Sequence, residues 1–357
     1  MKCNIIFVIL LLQMDNITAL DSLIRDASRI SASVHIHPDG DALGSGLALV
    51  SYLKECRGKD AVLMVPDPVP DSLSFMLKGF REQDVLTGSD PDGIRKRIGE
   101  SDLLFCLDCS SWSRSGEMME PLLKDSSARK VLVDHHLSPD KEAFDLVFSE
   151  TEISSASEVL YYILKEMPGI DGHPERLPLA CRTSLLTGMT TDTNNFANSV
   201  FPSTLKMASE LIASGVDRDA ILHELYNCYR ENRLRLMGCL LNEKLEITPE
   251  GLAFMILDKE TQRRFDFKQG ESEGFVNLPL AVKKVRMSML LTEEDDRFRV
   301  SIRSKRGTSA NECAMRYFSG GGHEMAAGGK LIFPKDIPVS SDAKAYILKV
   351  SREFFKG

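Results

Sequence analysis

SVHIHPDGDALGSGLAL, residues Ser33 to Leu49, runs an apolar strand-like opening directly into His35, His37, Asp39 and Asp41. Residues 31–36 are β-branched and apolar and end before Pro38, and from Asp41 to Glu55 apolar residues recur at helical period. The stretch therefore reads as strand, acidic turn, helix. Side chains alternate along a strand, so His35 and His37 share one face, and the turn Pro38-Asp39-Gly40-Asp41 bends both aspartates back over the strand end. An imidazole with two carboxylates suits Mn²⁺ or another hard-to-borderline divalent ion. His37 reads as a neighbour of such an ion rather than a ligand.

Further short apolar runs follow at 61–65 (AVLMV), 102–108 (DLLFCLD) and 130–134 (KVLVD), separated by helix-length, more polar stretches. Continuous rather than alternating apolar strands predict a parallel sheet buried on both faces. Ligands of open α/β sheets sit beyond the carboxyl ends of the strands, which places Asp39, Asp41, Asp108 and Asp134 along one rim. Residues 16–29 show helical spacing, and helical patterns dominate from Ser155 to Leu245 until the break at Pro249-Glu250-Gly251. Strand-like runs at 252–258, 285–292 and 297–304, a glycine cluster at 320–322 and a helix near 340–355 follow. The expected fold class is α/β: an N-terminal domain over 14–248 with a mainly parallel sheet flanked by helices, and a smaller C-terminal α+β domain over 249–357. The active site is expected in the cleft between them.

A chain of 357 residues with 43% hydrophobic content can supply two cores. A net charge of −8 argues against wrapping a long nucleic acid, so any polyanionic substrate should be small or held by metal. Eight cysteines without framework spacing read as reduced thiols, which points to the cytoplasm. The opening MKCNIIFVILLLQ has an apolar run too short to span a bilayer and no A-x-A cleavage pattern, so no membrane partner is expected. Residues 1–13 are read as an extension or a mis-assigned start, with Met14 as the alternative beginning.

Recurrence carries the chemistry. Asp108 ends a buried apolar strand, where an unpaired carboxylate is costly. Asp134-His135-His136 ends another, and Asp192 lies at a helix-to-loop junction rich in threonine and asparagine. His35, Asp39, Asp41, Asp108, His135 and Asp192 are enough ligands for two metals sharing a bridging carboxylate, an arrangement suited to hydrolysis at phosphorus. Asp134 also fits a residue that orients an imidazole. Cys106 and Cys109 lack the second pair a zinc site needs and read as small buried residues. His173 and His223 read as surface residues, and Trp112 as packing against the rim or stacking a base. In FSGGGHEMAAGG, 318–329, Gly320, Gly321 and Gly322 before His323 would let backbone N–H groups approach an anion, with a following helix adding its positive end. Arg303-Ser304-Lys305 adds donors for phosphate.

HIHPDGDALGS, CLDCS, VDHH, TTDT and GGGHEMAAGG together resemble, in order, the DHH phosphoesterase family with its DHH-associated C-terminal domain, and within it the bacterial enzymes acting on short RNA and 3′-phosphoadenosine 5′-phosphate. The resemblance spans residues 15–330. It implies two Mn²⁺, with Mg²⁺ or Co²⁺ as substitutes: one held by His35, Asp39 and Asp108, the other by Asp41, Asp108, His135 and Asp192. It places His136 at the scissile phosphate, and Arg303, Ser304, Asn311 and His323 on the substrate's terminal phosphate or nucleotide. The implied activity is hydrolysis of short single-stranded RNA to nucleoside 5′-monophosphates and of 3′-phosphoadenosine 5′-phosphate to AMP. Alternatives are linear or cyclic dinucleotide second messengers, inorganic pyrophosphate (whose relatives lack the GGGH turn), and a non-catalytic nucleotide sensor; homodimer formation is left open.

Overall fold

The computed structural model describes residues 16–356, which form two compact units dividing between Asn227 and Cys228. The expectations for residues 1–13 lie outside the described residues.

The first unit is built on six parallel strands: β1 Arg29–Ser33, β2 Asp60–Val65, β3 Val85–Thr87, β4 Leu103–Leu107, β5 Arg129–Asp134 and β6 Leu146–Ser149, in the order β3-β2-β1-β4-β5-β6. All five residues of β4 are buried, as a strand covered on both faces requires. Helix α1 over 16–26 precedes β1, and the connections carry α2 Gly40–Glu55, α3 Pro91–Glu100 and α4 Gly116–Asp125. After β6 come α5 Ala156–Glu166, α6 Leu179–Asp192, α7 Pro202–Ala213 and α8 Arg218–Tyr226. One apolar core joins Leu43, Leu47 and Val50 of α2 to Val131, Leu160 and Leu185. A second, on the other side of the sheet, holds Leu104, Leu132, Ile94 and Trp112. Strand order reverses between β1 and β4, so the chain leaves their carboxyl ends in opposite directions and opens a crevice there. β3 and β6 escaped the sequence reading because VLT and LVFS are too short to show a period.

The second unit begins with α9 Glu231–Cys239, ahead of the break at Pro249, because Leu236 and Leu240 bury against Met255, Leu257 and Phe275. Its sheet has strands β7 Glu246–Ile247, β8 Leu252–Leu257, β9 Met287–Glu293, β10 Arg297–Ser304, β11 Gly321–Gly322 and β12 Ala326–Ile332, in the order β11-β12-β10-β9-β8-β7. Only β8 and β9 pair in parallel. α10 Lys259–Arg264 follows β8, and α11 Ala310–Tyr317 and α12 Ala343–Phe354 bury Cys313, Ala314, Ile347 and Val350 against Phe254, Met289 and Ile302. The helix expected after the glycine cluster does not form: residues 321–332 make a β11–β12 hairpin, since Gly321 pairs with Gly328 and Gly322 with Ala327. Among the described residues no helix is long and apolar enough to cross a membrane, and the seven described cysteines are free.

Candidate active site

β1 ends at Ser33, earlier than expected, and residues 34–39 form the loop over the crevice. His35 Nδ1 donates to Ile36 O at 2.8 Å, which turns Nε2 inward to 3.3 Å from Asp108 Oδ2 and 3.8 Å from Asp39 Oδ2. His37 is instead exposed, on left-handed backbone (φ 54°), and lies 3.3 Å from Asp67. Asp39 serves two purposes. Its Oδ1 caps α2 by accepting from the amides of Asp41 and Ala42, both at 3.0 Å, and its other oxygen faces His35. Gly40 and Asp41 thus open the helix rather than extend a turn.

Asp41 is fully buried, and its carboxylate is clamped by the first amides of α5, Ala156 N at 2.7 Å and Ser157 N at 2.9 Å. Asp192 ends α6. Helices α2 and α6 carry Asp41 and Asp192 to one point because they cross at very short range: a Cβ on Gly44 would lie 2.7 Å from Ser184 O and 2.8 Å from Gly188 Cα. Asp108 follows β4 on left-handed backbone (φ 54°), 2% exposed, its amide bonded to Val133 O. His135 Nε2 lies 3.3 Å from Asp108 Oδ1, 3.7 Å from Asp192 Oδ2 and 3.9 Å from Asp41 Oδ2.

The electrostatics follow from burial and from the close approach of carboxylates and imidazoles. Burial lowers the basicity of His35, but its bond to Asp108 and the charge of Asp39 outweigh that and raise its pKa to about 9. His135 goes to about 10 against the same desolvation, through Asp192, Asp108 and Asp41. Asp41 is pushed well above the ordinary carboxylate range by burial and by repulsion from Asp108 and Asp192. Burial works the same way on Asp108, yet the surrounding imidazoles hold it well below that range.

Do these residues fit divalent metal? Asp108 Oδ1 is buried and makes no hydrogen bond. Among the described residues, two of the groups whose donor atoms lie within 4.8 Å of one another are His35–Asp39–Asp108 and Asp41–Asp108–His135, with Asp108 common to both. Carboxylate oxygens with imidazole nitrogens suit Mn²⁺, Mg²⁺ or Co²⁺, and a shared carboxylate suits a pair of ions. The fit is good.

Beside the donors lies a relay. Asp134, fully buried, accepts from His136 Nδ1 at 2.8 Å and from the His136 amide at 3.2 Å. That bond fixes the tautomer, so Nε2 accepts from Arg114 Nη1 at 2.9 Å. Arg114 was missed in the sequence, where it stands in a serine-rich segment with no motif; its only local signal is a lone arginine shortly after a strand-end aspartate. The α5 amides that hold Asp41 were also missed, although Ser154-Ser155-Ala156-Ser157-Glu158 has the composition of a helix N-cap, and Ser155 Oγ does accept from Glu158 N. Trp112 is buried against Phe144 and stacks no base from there. Cys106 and Cys109 are buried, and His173 and His223 are exposed.

In the second unit the glycine cluster differs from expectation. Its amides are spent internally: Gly320 N on Ala314 O, Gly322 N on Asn311 Oδ1, His323 N on Ala326 O. The glycines serve close strand approach, since a Cβ on Gly320 would lie 1.9 Å from Gly328 O and one on Gly322 2.6 Å from Ala326 O. Ser304 is buried and donates to Thr308 O at 2.6 Å, leaving its hydroxyl no hydrogen to offer a phosphate. Arg303 and the Asn311 amide group retain donors, because Arg303 spends only Nη1, on Ile302 O, and Asn311 accepts through its oxygen.

A doubly wound sheet that gathers carboxylates and imidazoles at its switch point has the site of a hydrolase. The comparisons agree. The N-terminal domain of the DHH family matches residues 29–189, and the DHHA1 domain matches residues 252–356. The bifunctional oligoribonuclease and PAP phosphatase NrnA of Thermus thermophilus is 31% identical over 305 residues, covering 85% of this chain and 84% of that protein. Its namesake in Bacillus subtilis is 29% identical over 301 residues, covering 83% and 87%. The cyclic-di-AMP phosphodiesterase PdeA of Listeria monocytogenes is 25% identical, covering 95% of this chain and 50% of that protein. A crystal structure of an exopolyphosphatase-related protein from Bacteroides fragilis superposes with a TM-score of 0.86 at 32% identity, covering 96% of this chain and 97% of that one. This chain belongs to the DHH family and is a phosphoesterase.

Proposed function

We propose that this protein hydrolyses short RNA oligonucleotides to nucleoside 5′-monophosphates, and 3′-phosphoadenosine 5′-phosphate to AMP and phosphate, in the cytoplasm with two divalent ions, Mn²⁺ by preference. The observation that carries the reading is Asp108, shared by two donor groups and flanked by the Asp134–His136–Arg114 relay. His35, Asp39 and Asp108 would hold one ion, and Asp41, Asp108, His135 and Asp192 the other. Bound there, the ions supply Lewis acidity at the phosphoryl group and its attacking water.

The chain's own residues do the rest. Asp134 holds His136 in one tautomer, and His136, by accepting from Arg114 Nη1, holds the guanidinium so that its other N–H groups can meet the non-bridging phosphate oxygens. Charge that builds there in the transition state meets the Arg114 guanidinium, which needs no reorganisation because His136 already orients it. The α5 amides keep Asp41 aimed at the centre. Arg303, Asn311 and His323 are assigned the grip on the substrate's distal phosphate or nucleotide, through side chains rather than backbone amides. The names of the two bifunctional relatives support both substrates, and that of the Listeria protein favours a dinucleotide as the second reading.

The test offers Mn²⁺ and the purified protein, side by side, di- to pentanucleotide RNA, 3′-phosphoadenosine 5′-phosphate, linear and cyclic diadenylate, and pyrophosphate. Mononucleotide release from RNA, abolished in a folded Asp108→Ala variant, is the expected result. Full activity of that variant refutes the two-ion assignment. Binding without cleavage of any substrate converts the protein into a sensor.

A further inference from the structure

Glu158 is a buried carboxylate that the catalytic reading does not use. It stands in the first turn of α5, the helix whose amides hold Asp41, and it is fully buried. Its Oε2 accepts from Ser154 N at 3.0 Å, from Ser154 Oγ, and from Thr204 Oγ1 of α7 at 2.7 Å. Its Oε1 is buried as well and makes no hydrogen bond among the described residues. Burying a carboxylate with one oxygen unbonded costs stability.

Helix capping does not account for that cost. Ser155 already caps α5, its Oγ accepting from Glu158 N at 3.0 Å. In a capping box the glutamate returns to the amide of the N-cap residue. Glu158 reaches one residue further, to Ser154, and across to a second helix. α5 and α7 are strapped together again farther along, where Tyr162 Oη donates to Ser203 O at 2.8 Å and Lys165 pairs with Glu210 at 2.8 Å. The same first turn has no slack toward the site. Ala156 N and Ser157 N hold the two oxygens of Asp41, and a Cβ on Gly188 of α6 would lie 2.1 Å from Ser157 Oγ and 3.0 Å from Asp41 Oδ1.

We propose that Glu158 is a positioning residue for Asp41: through Ser154 and Thr204 it fixes the first turn of α5, and so sets the affinity for the ion on Asp41, Asp108, His135 and Asp192 without touching that ion. The inference rests on the two-ion reading and deepens it. Amides aim a carboxylate only as well as their own chain is held, and partners one bond removed from a ligand tune metal affinity. His35 and Asp39 take their aim elsewhere, from Ile36 O and from the α2 amides, so the ion they hold is spared.

Two substitutions isolate the acceptor. Glu158→Gln keeps an oxygen for Ser154 and Thr204 and puts its amide group where the unbonded oxygen lies, whereas Glu158→Met keeps the bulk and loses the acceptor. Hydrogen exchange of the full chain in EDTA, read by mass spectrometry over residues 150–160, reports the α5 turn without metal. Calorimetric Mn²⁺ titration and electron paramagnetic resonance then report the ions. Glu158→Met should speed exchange in that segment by about tenfold or more and weaken the second ion by about 10- to 100-fold. The first ion should change by less than about twofold, and the spectrum of a coupled Mn²⁺ pair should give way to that of isolated Mn²⁺. Glu158→Gln should restore exchange and affinity. Ser154→Ala, which removes one hydroxyl donor, should move both readouts the same way by a smaller factor, and it decides the matter with Glu158→Gln if Glu158→Met does not fold. Unchanged exchange and second-ion affinity in the acceptor-removing variants overturn the inference. So does equal weakening of both ions, the mark of a structural role alone, or a Glu158→Gln that fails as Glu158→Met does. A wild type that binds a single ion removes the two-ion reading instead, and exchange in EDTA still decides whether Glu158 holds the amides on Asp41.

Discussion

Replacing Gly44 with alanine should damage function far more than stability. The new methyl would stand 2.7 Å from Ser184 O, 2.8 Å from Gly188 Cα and 2.9 Å from Gly188 N, all backbone atoms of α6. No side chain can turn aside, so α2 and α6 must separate by roughly 1 Å to restore ordinary contact. Overpacking of this kind costs about 1–3 kcal/mol, and alanine returns about 1 kcal/mol through helix propensity. The net loss of about 0–2 kcal/mol is a few degrees in Tm for a unit of this size. The same separation parts Asp41 on α2 from Asp192 on α6, and a 1 Å misplacement of a catalytic group can cost on the order of 100-fold in rate. Gly46→Ala is the control, because its methyl would meet the Leu63 side chain, with Cδ1 at 2.5 Å, on the opposite side of the helix. Calorimetry, Mn²⁺ titration and phosphodiester hydrolysis are run on both variants. Gly44→Ala should lose Mn²⁺ affinity and turnover while melting close to wild type, and Gly46→Ala should lose stability but keep both. A folded Gly44→Ala with wild-type affinity and turnover would refute the claim that helix spacing sets the site.

Proton competition gives the pH dependence. With folded pKa values of about 9 and 10, above the unfolded value near 6.5, His35 and His135 stabilise the metal-free protein below pH 6.5 and lose that stabilisation as pH rises through 9 and 10. The two shifts together set an upper bound on the order of 8 kcal/mol, so urea unfolding at pH 7 and pH 10 in EDTA should show a loss of several kcal/mol. Mn²⁺ must displace those protons, so affinity should rise about tenfold per pH unit per site up to about pH 9. Calorimetry in buffers of different ionisation enthalpy should find about one proton released per ion, and no release would refute the ligand assignment. Asp134→Asn removes the acceptor that fixes the His136 tautomer and should cut kcat by about 100-fold or more with KM little changed; an unchanged kcat breaks the relay. His323→Ala should raise KM for short substrates and spare kcat, and an unchanged KM would remove His323 from the grip.

The N-terminal site was readable because its donors follow strands whose continuous apolar runs mark them as buried, and a carboxylate ending such a strand needs a positive partner. Asp108, Asp134 and His135 are of this kind. The glycine cluster misled for the converse reason. Consecutive glycines signal close approach without saying to what, and here Gly320 and Gly322 approach the neighbouring strand rather than an anion. Arg114 carried no pattern at all, since its role depends on where its chain segment passes His136.

Local sequence by itself determined which segments become buried parallel strands and that acidic and imidazole groups end them, because burial and period are written into neighbouring residues. Only tertiary structure decided which of those groups share a centre. Asp41 meets the α5 amides across 115 positions, and it converges with Asp192 only because two helices cross at glycine range. Contacts so far apart in the chain leave no periodic trace, so the fold class was legible in the sequence while the aim of each side chain was set by packing.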